Sequence, residues 1–131
     1  MGQDGTVFQA RKFQTAATTN SSRDAILAMG AHSPPNSNKI GIVLLGCFDS
    51  TQCPGTSDVL TTAAFESLTN QLANLLWRYC LTSRVISGHR DWQATACPGD
   101  RIYNQLASIR STADKKKSTL GTNTNCAYKC P

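Results

Sequence analysis

The chain has 131 residues, of which 40% are hydrophobic, 16% are charged and six are cysteines. Domains commonly run to about 100–150 residues, so this length predicts one domain with a core of its own. The composition excludes general disorder, because Ser, Thr, Asn and Gln replace the missing charges in a chain that keeps its apolar residues. No apolar run approaches the ~20 residues of a membrane span, and residues 1–30 hold no stretch typical of a secretory signal.

The net charge of +5 is concentrated at the end of the chain. Residues 112–131 contain four lysines against Asp114, which gives +3 and leaves only +2 for the rest. A nucleic-acid-binding protein is expected to carry a basic stripe on its folded body. We therefore expect no nucleic-acid partner.

The first element predicted is a turn. Asp4-Gly5 is a dipeptide typical of hairpins, and Val7 and Phe8 continue it as a short β-type stretch. Only three residues precede this turn, so we expect the chain to begin inside a supersecondary unit. Residues 14–24 are small and polar, which predicts a loop.

A strand and a long helix are predicted next. Residues 39–45 form an apolar run bounded by turn residues, the pattern of a strand buried on both faces in the centre of an α/β sheet. Apolar residues then recur at three- and four-residue steps, which predicts a helix of about five or six turns. Its N-cap candidates are Thr56, Ser57 and Asp58. The apolar residues that recur at these steps are Phe65, Leu68, Leu72, Leu75, Leu76 and Tyr79.

The remaining elements are a short strand and a last helix. Val85 and Ile86 predict the strand. The helix is expected to start after Gly99 with Asp100 as its cap. Its buried positions would be Ile102, Leu106 and Ile109. From Ser111 onward, a composition rich in Ser, Thr, Asn and Lys predicts a linker or tail.

The segment between these last two elements holds the most informative residues. His89 follows the predicted short strand, and Cys97 lies eight residues later, in a turn before the helix. Imidazole and thiolate are ligands that Zn²⁺ prefers, and strand ends are where α/β folds place sites. Catalytic zinc usually takes three protein ligands, so a third would come from elsewhere. Spacing alone makes this a weak indication, because a motif needs its structural context.

Four motifs along the chain strengthen the indication of a zinc site. They are Asp-Gly-Thr-Val-Phe-Gln-Ala-Arg at 4–11, Gly-Ala-His-Ser at 30–33 with Asn-Ser-Asn-Lys-Ile-Gly-Ile at 36–42, Gly-His-Arg-Asp at 88–91 and Thr-Ala-Cys-Pro-Gly at 95–99. This series resembles the type 2 N-acetylmuramoyl-L-alanine amidases, the family shared with peptidoglycan recognition proteins. The resemblance covers about residues 4–110 and includes the zinc-site signature of that family.

The resemblance implies an α/β fold with a mixed central β-sheet flanked by helices, here lacking the first strand or strands. We expect residues 1–111 to form an N-terminally truncated amidase or peptidoglycan recognition domain. Residues 112–131 would be a Ser/Thr/Lys-rich tail with a Cys-x3-Cys loop. The family's first zinc histidine and its assisting tyrosine lie before the Asp-Gly turn and have no counterpart in this sequence.

The resemblance also implies a role for each matched residue. His89 and Cys97 fall on two of the three zinc ligands, and Thr95 falls on the position that helps polarise the scissile carbonyl. His32 and Asn36 fall in the wall of the peptidoglycan groove. The implied reaction is zinc-dependent hydrolysis of the amide between N-acetylmuramic acid and L-alanine. The implied cofactor is Zn²⁺, the implied partner is peptidoglycan or its muropeptides, and we expect a secreted monomer.

Each role has a plainer alternative. His89 could be a capped loop histidine, Cys97 half of a disulfide and Thr95 an ordinary turn residue. His32 could be a structural histidine bonded to nearby backbone. Asp91 is expected to fix the turn or to accept a hydrogen bond from a metal-bound histidine.

Two other function classes stay open beside the amidase. One is a peptidoglycan-binding protein without catalysis, because an incomplete site cannot hold zinc tightly. The other is a small disulfide-bonded secreted protein in which His89 and Cys97 have no metal role.

The five remaining cysteines point to an oxidising, extracellular compartment. Cys47 and Cys53 flank one loop, and Cys126 and Cys130 bracket a tail loop, so two local disulfides are expected. Cys80 would then be a buried free thiol near the end of the long helix. The alternative is that all are reduced, and the sequence does not fix the connectivity.

Overall fold

The structure is a computed structural model that describes residues 1–8, 39–55, 58–124 and 126, together with two short strands. The strands are β1 (Gln14–Thr15) and β2 (Ala25–Ile26). The α-helices are α1 (Thr62–Arg78), α2 (Asp100–Tyr103) and α3 (Leu106–Ser118). Between α1 and α2 lie two 3₁₀ turns, at Ser83–Val85 and at His89–Asp91. No helix in the described ranges is long and apolar enough to cross a membrane.

The mixed central β-sheet predicted from the sequence is wrong for the part of the chain that the structure describes, whose regular elements are mainly helices. The strands β1 and β2 pair antiparallel over two residues each and make no central sheet. Residues 39–45 form no strand, and Val43 is 65% exposed. Val85 lies in a 3₁₀ turn instead of a strand. An apolar run shows that residues prefer burial, but a strand also needs a partner that local sequence does not specify.

The turn at the start of the chain is confirmed, whereas the strand after it is not. The carboxylate of Asp4 accepts hydrogen bonds from the backbone N–H and the hydroxyl of Thr6, at 2.9 and 2.7 Å. Gly5 has a φ of +84°, which suits glycine in such a turn. Val7 and Phe8 form no strand and are exposed.

The long helix predicted from the apolar steps is confirmed as α1. Thr61 is its N-cap, and the Thr61 hydroxyl accepts a hydrogen bond from the N–H of Ala64 at 3.1 Å. The predicted cap Asp58 accepts from the N–H of Cys47 instead, at 2.7 Å. The other two candidates, Thr56 and Ser57, lie outside the described residues.

The last predicted helix is present as α2 and α3. Gly99 is the N-cap of α2, and Asp100 is its first residue instead of its cap. Ile102 and Ile109 are buried as predicted, whereas Leu106 is half-buried. Because α3 continues through Ser118, the prediction of a linker from Ser111 is wrong up to that residue. The division of the chain into a domain at 1–111 and a tail at 112–131 stays a prediction.

The core lies where α1 packs against α3. Met1, Leu68 and Ile109 are buried together there. Thr69 is fully buried, and its hydroxyl donates to the carbonyl of Phe65 at 2.8 Å. Lys116 of α3 reaches across and donates to the same hydroxyl at 2.8 Å. These bonds satisfy the polar group that the interface buries.

Two disulfides are present in the described part of the chain. Cys47–Cys53 is confirmed, but Cys80 pairs with Cys126 and is not a free thiol. The predicted Cys126–Cys130 bridge is therefore wrong, and Cys130 itself lies outside the described residues. The segment after α3 folds back on α1, where the indole N–H of Trp77 donates to the carbonyl of Gly121 at 2.9 Å. That return places Cys126 beside Cys80, which spacing along the chain could not show.

Candidate functional site

The turns that carry His89 and Cys97 lie side by side. The backbone N–H of Arg90 donates to the carbonyl of Cys97 at 3.0 Å, and the Arg90 guanidinium donates to the carbonyl of Ala96. The N–H of Gly99 donates to the carbonyl of Ala96 at 2.8 Å and closes the turn around Cys97. The structure therefore brings together the segments of the two predicted metal ligands.

The loop at residues 46–55, closed by the Cys47–Cys53 disulfide, packs against the Cys97 turn. The N–H of Arg101 donates to the carbonyl of Phe48 at 3.1 Å. The N–H and hydroxyl of Ser50 donate to the carboxylate of Asp100 at 2.8 and 2.7 Å. These two bonds hold the pKa of Asp100 below its ordinary value. Hydrogen bonds of the backbone and of side chains thus join the loop to the turn.

A cavity of about 180 Å³ lies between this loop and the Cys97 turn. Its walls include Cys47, Phe48 and Asp49 on one side and Cys97 and Gly99 on the other. A volume of this size is below the range of about 300–1,000 Å³ typical of small-molecule pockets. It suits a small group or a few waters better than a whole sugar.

His89 has a half-buried side chain whose Nε2 is buried and has no hydrogen-bond partner among the described residues. Leaving a buried nitrogen unpaired costs about 1–3 kcal/mol. Neutral imidazole offers one nitrogen lone pair, which can accept a proton or bind a metal. The unpartnered nitrogen is therefore an observation that fits a ligand at His89.

Cys97 and Thr95 lie together in the neighbouring turn. The thiol of Cys97 is free and exposed, so the alternative of a disulfide at this position is not what the structure has. The hydroxyl of Thr95 accepts a hydrogen bond from the N–H of Cys97 at 3.2 Å. A hydroxyl that accepts in this way keeps its own proton for another partner.

The described residues fit zinc only in part. Imidazole nitrogen and thiolate sulfur are the right donors, and His89 and Cys97 offer one of each. Within the described ranges, however, no group of three or more His, Cys, Asp or Glu side chains is arranged to hold a metal ion. The predicted groove residues His32 and Asn36 lie outside the described residues.

Asp91 holds the 3₁₀ turn in shape, which matches its predicted turn-fixing role. Its carboxylate accepts from the hydroxyl of Tyr103 and from the N–H of Gly88, the latter at 2.8 Å. The Tyr103 hydroxyl is the main cause of a lowered pKa at Asp91, and the same bond raises the pKa of Tyr103. The carboxylate therefore stays charged at neutral pH.

Sequence reasoning gave no role to two residues of this site. The guanidinium of Arg90 lies 4.7 Å from the centre of the Tyr103 ring and 3.9 Å from the carboxylate of Asp49. Arg90 could have been singled out, because it lies inside the Gly-His-Arg-Asp motif. Tyr103 carried no signal, since its partner Asp91 is distant along the chain.

Comparison with known proteins assigns the chain to a family. The profile of the N-acetylmuramoyl-L-alanine amidases matches residues 1–100. The chain belongs to the N-acetylmuramoyl-L-alanine amidase family. Every predicted site residue of this family member, from His32 to Cys97, lies within the matched range.

The amidase-family chain also resembles two curated proteins. Peptidoglycan-recognition protein SC2 of Drosophila simulans and of Drosophila melanogaster are each 29% identical to it over 108 residues. That alignment covers 81% of this chain and 48% of each relative, so the chain spans about half the length of the relatives it matches. No solved structure gives a significant match.

Proposed function

We propose that this amidase-family protein hydrolyses the amide between N-acetylmuramic acid and L-alanine of peptidoglycan in a zinc-dependent reaction. One observation carries the proposal: the buried Nε2 of His89 has no hydrogen-bond partner among the described residues. The turn that holds His89 is hydrogen-bonded to the turn that holds the free thiol of Cys97. Both residues lie within the range that the family profile matches. The proposed partner is peptidoglycan or its muropeptides outside the cell.

In this proposal His89 and Cys97 are two of the zinc donors. Bound zinc supplies an activated water and polarises the scissile carbonyl. The hydroxyl of Thr95, held beside Cys97 by the backbone bond at 3.2 Å, donates a hydrogen bond to that carbonyl. Arg90 keeps the two turns together, and Asp91 fixes the 3₁₀ turn that carries His89. His32 and Asn36 contact the peptide stem.

A second candidate is a peptidoglycan-binding protein without catalysis. It is favoured by the finding that no third metal donor stands with His89 and Cys97 among the described residues. It is also favoured by the relatives, which are named peptidoglycan-recognition proteins. Binding needs only the groove, whereas hydrolysis needs a complete metal site.

The first prediction concerns Cys97→Ser. A neutral hydroxyl is a poor zinc ligand, so the variant should lose bound zinc and amidase activity while it still binds cell-wall fragments. Zinc is measured by mass spectrometry of the purified protein and activity by the release of stem peptides that begin with L-alanine. The unchanged chain should hold about one zinc.

The matched control is Gln93→Ala, an exposed position between the two turns, which should keep zinc and activity. Zinc content and activity that survive in Cys97→Ser would exclude the ligand role. Wall binding without any peptide release, at full zinc content in the unchanged chain, would leave the binding protein as the function.

A further inference from the structure

Two cysteines line the small cavity between the loop at 46–55 and the Cys97 turn, and one of them belongs to a disulfide. Cys97 is a free, exposed thiol in one wall, and Cys47 lines the opposite wall. Cys47 is bonded to Cys53 in a loop closed by only six positions of sequence separation. The residue that carries the free thiol and one residue of an existing disulfide therefore line the same cavity.

We infer that Cys97 exchanges with this disulfide to give a Cys47–Cys97 bridge and a free Cys53 thiol. The consequence rests on the proposed function: a sulfur held in a disulfide cannot bind zinc, so the exchange would switch the site off. The disulfide of the loop would then act as a built-in regulator of the metal site.

The backbone geometry supports the exchange. Gly99 lies so close to Phe48 that a Cβ added at Gly99 would be 2.4 Å from the Phe48 carbonyl oxygen. Cys97 precedes Gly99 by two residues, and Cys47 precedes Phe48 by one. Consecutive Cα atoms are about 3.8 Å apart, so the Cα of Cys97 lies within about 7.6 Å of that of Gly99, and the Cα of Cys47 about 3.8 Å from that of Phe48.

The chemistry needs no other reactant. The Cys97 thiolate attacks the sulfur of Cys47, the Cys47–Cys97 bond forms, and the Cys47–Cys53 bond breaks. The electron pair of the broken bond leaves with the sulfur of Cys53, which takes up the proton that Cys97 lost. The number of disulfides and of free thiols is unchanged.

The other disulfide is not an expected target. Cys80 lines a separate cavity of about 260 Å³ with Trp77 and Lys117, and Cys97 is not among the residues of its wall. Since the attacking thiol must reach the sulfur directly, exchange should be selective for Cys47. Selectivity distinguishes a built-in exchange from random scrambling.

The experiment maps the disulfides of the whole chain after incubation at mildly alkaline pH with a metal chelator and no reductant. Free thiols are then alkylated in acid and the protein is digested with trypsin and chymotrypsin. We expect peptides 40–48 and 93–101 to become linked through Cys47 and Cys97, with Cys53 alkylated. The rate should not depend on protein concentration, because the reaction is intramolecular.

The control variant Cys97→Ser should lose the new linkage completely and keep Cys47–Cys53. A second variant, Cys53→Ser, should form Cys47–Cys97 directly when oxidised glutathione is added. No linkage in the unchanged chain, or linkage of Cys97 to Cys80 or Cys126 as often as to Cys47, would overturn the inference.

A parallel incubation with zinc chloride separates this inference from the proposed function. Slower exchange with zinc supports both the exchange and Cys97 as a zinc donor. Exchange at the same rate with and without zinc supports the exchange and contradicts the donor role. Absence of exchange in the chelator arm overturns the inference whatever zinc does.

Discussion

At the scale of single residues, the position that decides the shape of the site is Gly99. Its φ of +88° and ψ of +152° lie in a region that is essentially restricted to glycine. Its missing Cβ also lets the Cys97 turn lie directly on the backbone of Phe48. The sequence showed that a glycine ends this motif, but only the structure shows what it touches.

Gly99→Ala should therefore be costly, because it adds steric overlap with backbone to an unfavourable φ. We expect it to lower the free energy of unfolding by about 3 kcal/mol or more, measured by urea denaturation. Gly121→Ala is the matched control: Gly121 has a φ of +77°, but no atom of the described residues lies within 4 Å of an added Cβ. It should cost only about 1–2 kcal/mol for the backbone strain. Equal losses in the two variants would show that contact with Phe48 does not matter.

At the scale of elements, helices were predictable and strands were not. The apolar steps from Phe65 to Tyr79 predict α1 because a helix places residues three and four apart on one face. Its buried face is formed by Ala64, Leu68, Thr69, Ala73 and Leu76. The helical residues after Ser111 were missed because their composition is polar, yet Ala113 is fully buried in α3. A single small residue on a polar helix gives too weak a periodic signal.

The packing of α3 on α1 gives the next prediction. Ile109 is 1% exposed in the core, so Ile109→Ala leaves a cavity between the two helices. We expect a loss of about 2–5 kcal/mol in the free energy of unfolding. Ser111→Ala, at an exposed position of the same helix, should change it by no more than about 0.5 kcal/mol. A loss below 1 kcal/mol at Ile109, on the order of a surface change, would contradict the described core.

At the scale of the whole molecule, the family was predictable, but the placement of distant residues was not. Short motifs such as Gly-His-Arg-Asp keep their residue types in order, so they show the family without any knowledge of the fold. The pairing of Cys80 with Cys126 depends on how the segment after α3 returns to α1. In the same way, the hydrogen bond from Tyr103 to Asp91 exists only after α2 is placed beside the 3₁₀ turn.

The two disulfides should differ in what they contribute to the stability of the whole chain. Cys80–Cys126 joins residues separated by 46 positions and Cys47–Cys53 by only 6. If each acts by restricting the unfolded chain, its removal costs about 4 kcal/mol for the long loop and about 2 kcal/mol for the short one. The measurement is urea denaturation of the paired Cys→Ala variants in a Cys97→Ser background, which prevents exchange. The result could instead be a larger loss in the free energy of unfolding on removal of Cys47–Cys53 than on removal of Cys80–Cys126. That result would mean that Cys47–Cys53 acts mainly in the folded state, by holding the loop at 46–55 against the Cys97 turn.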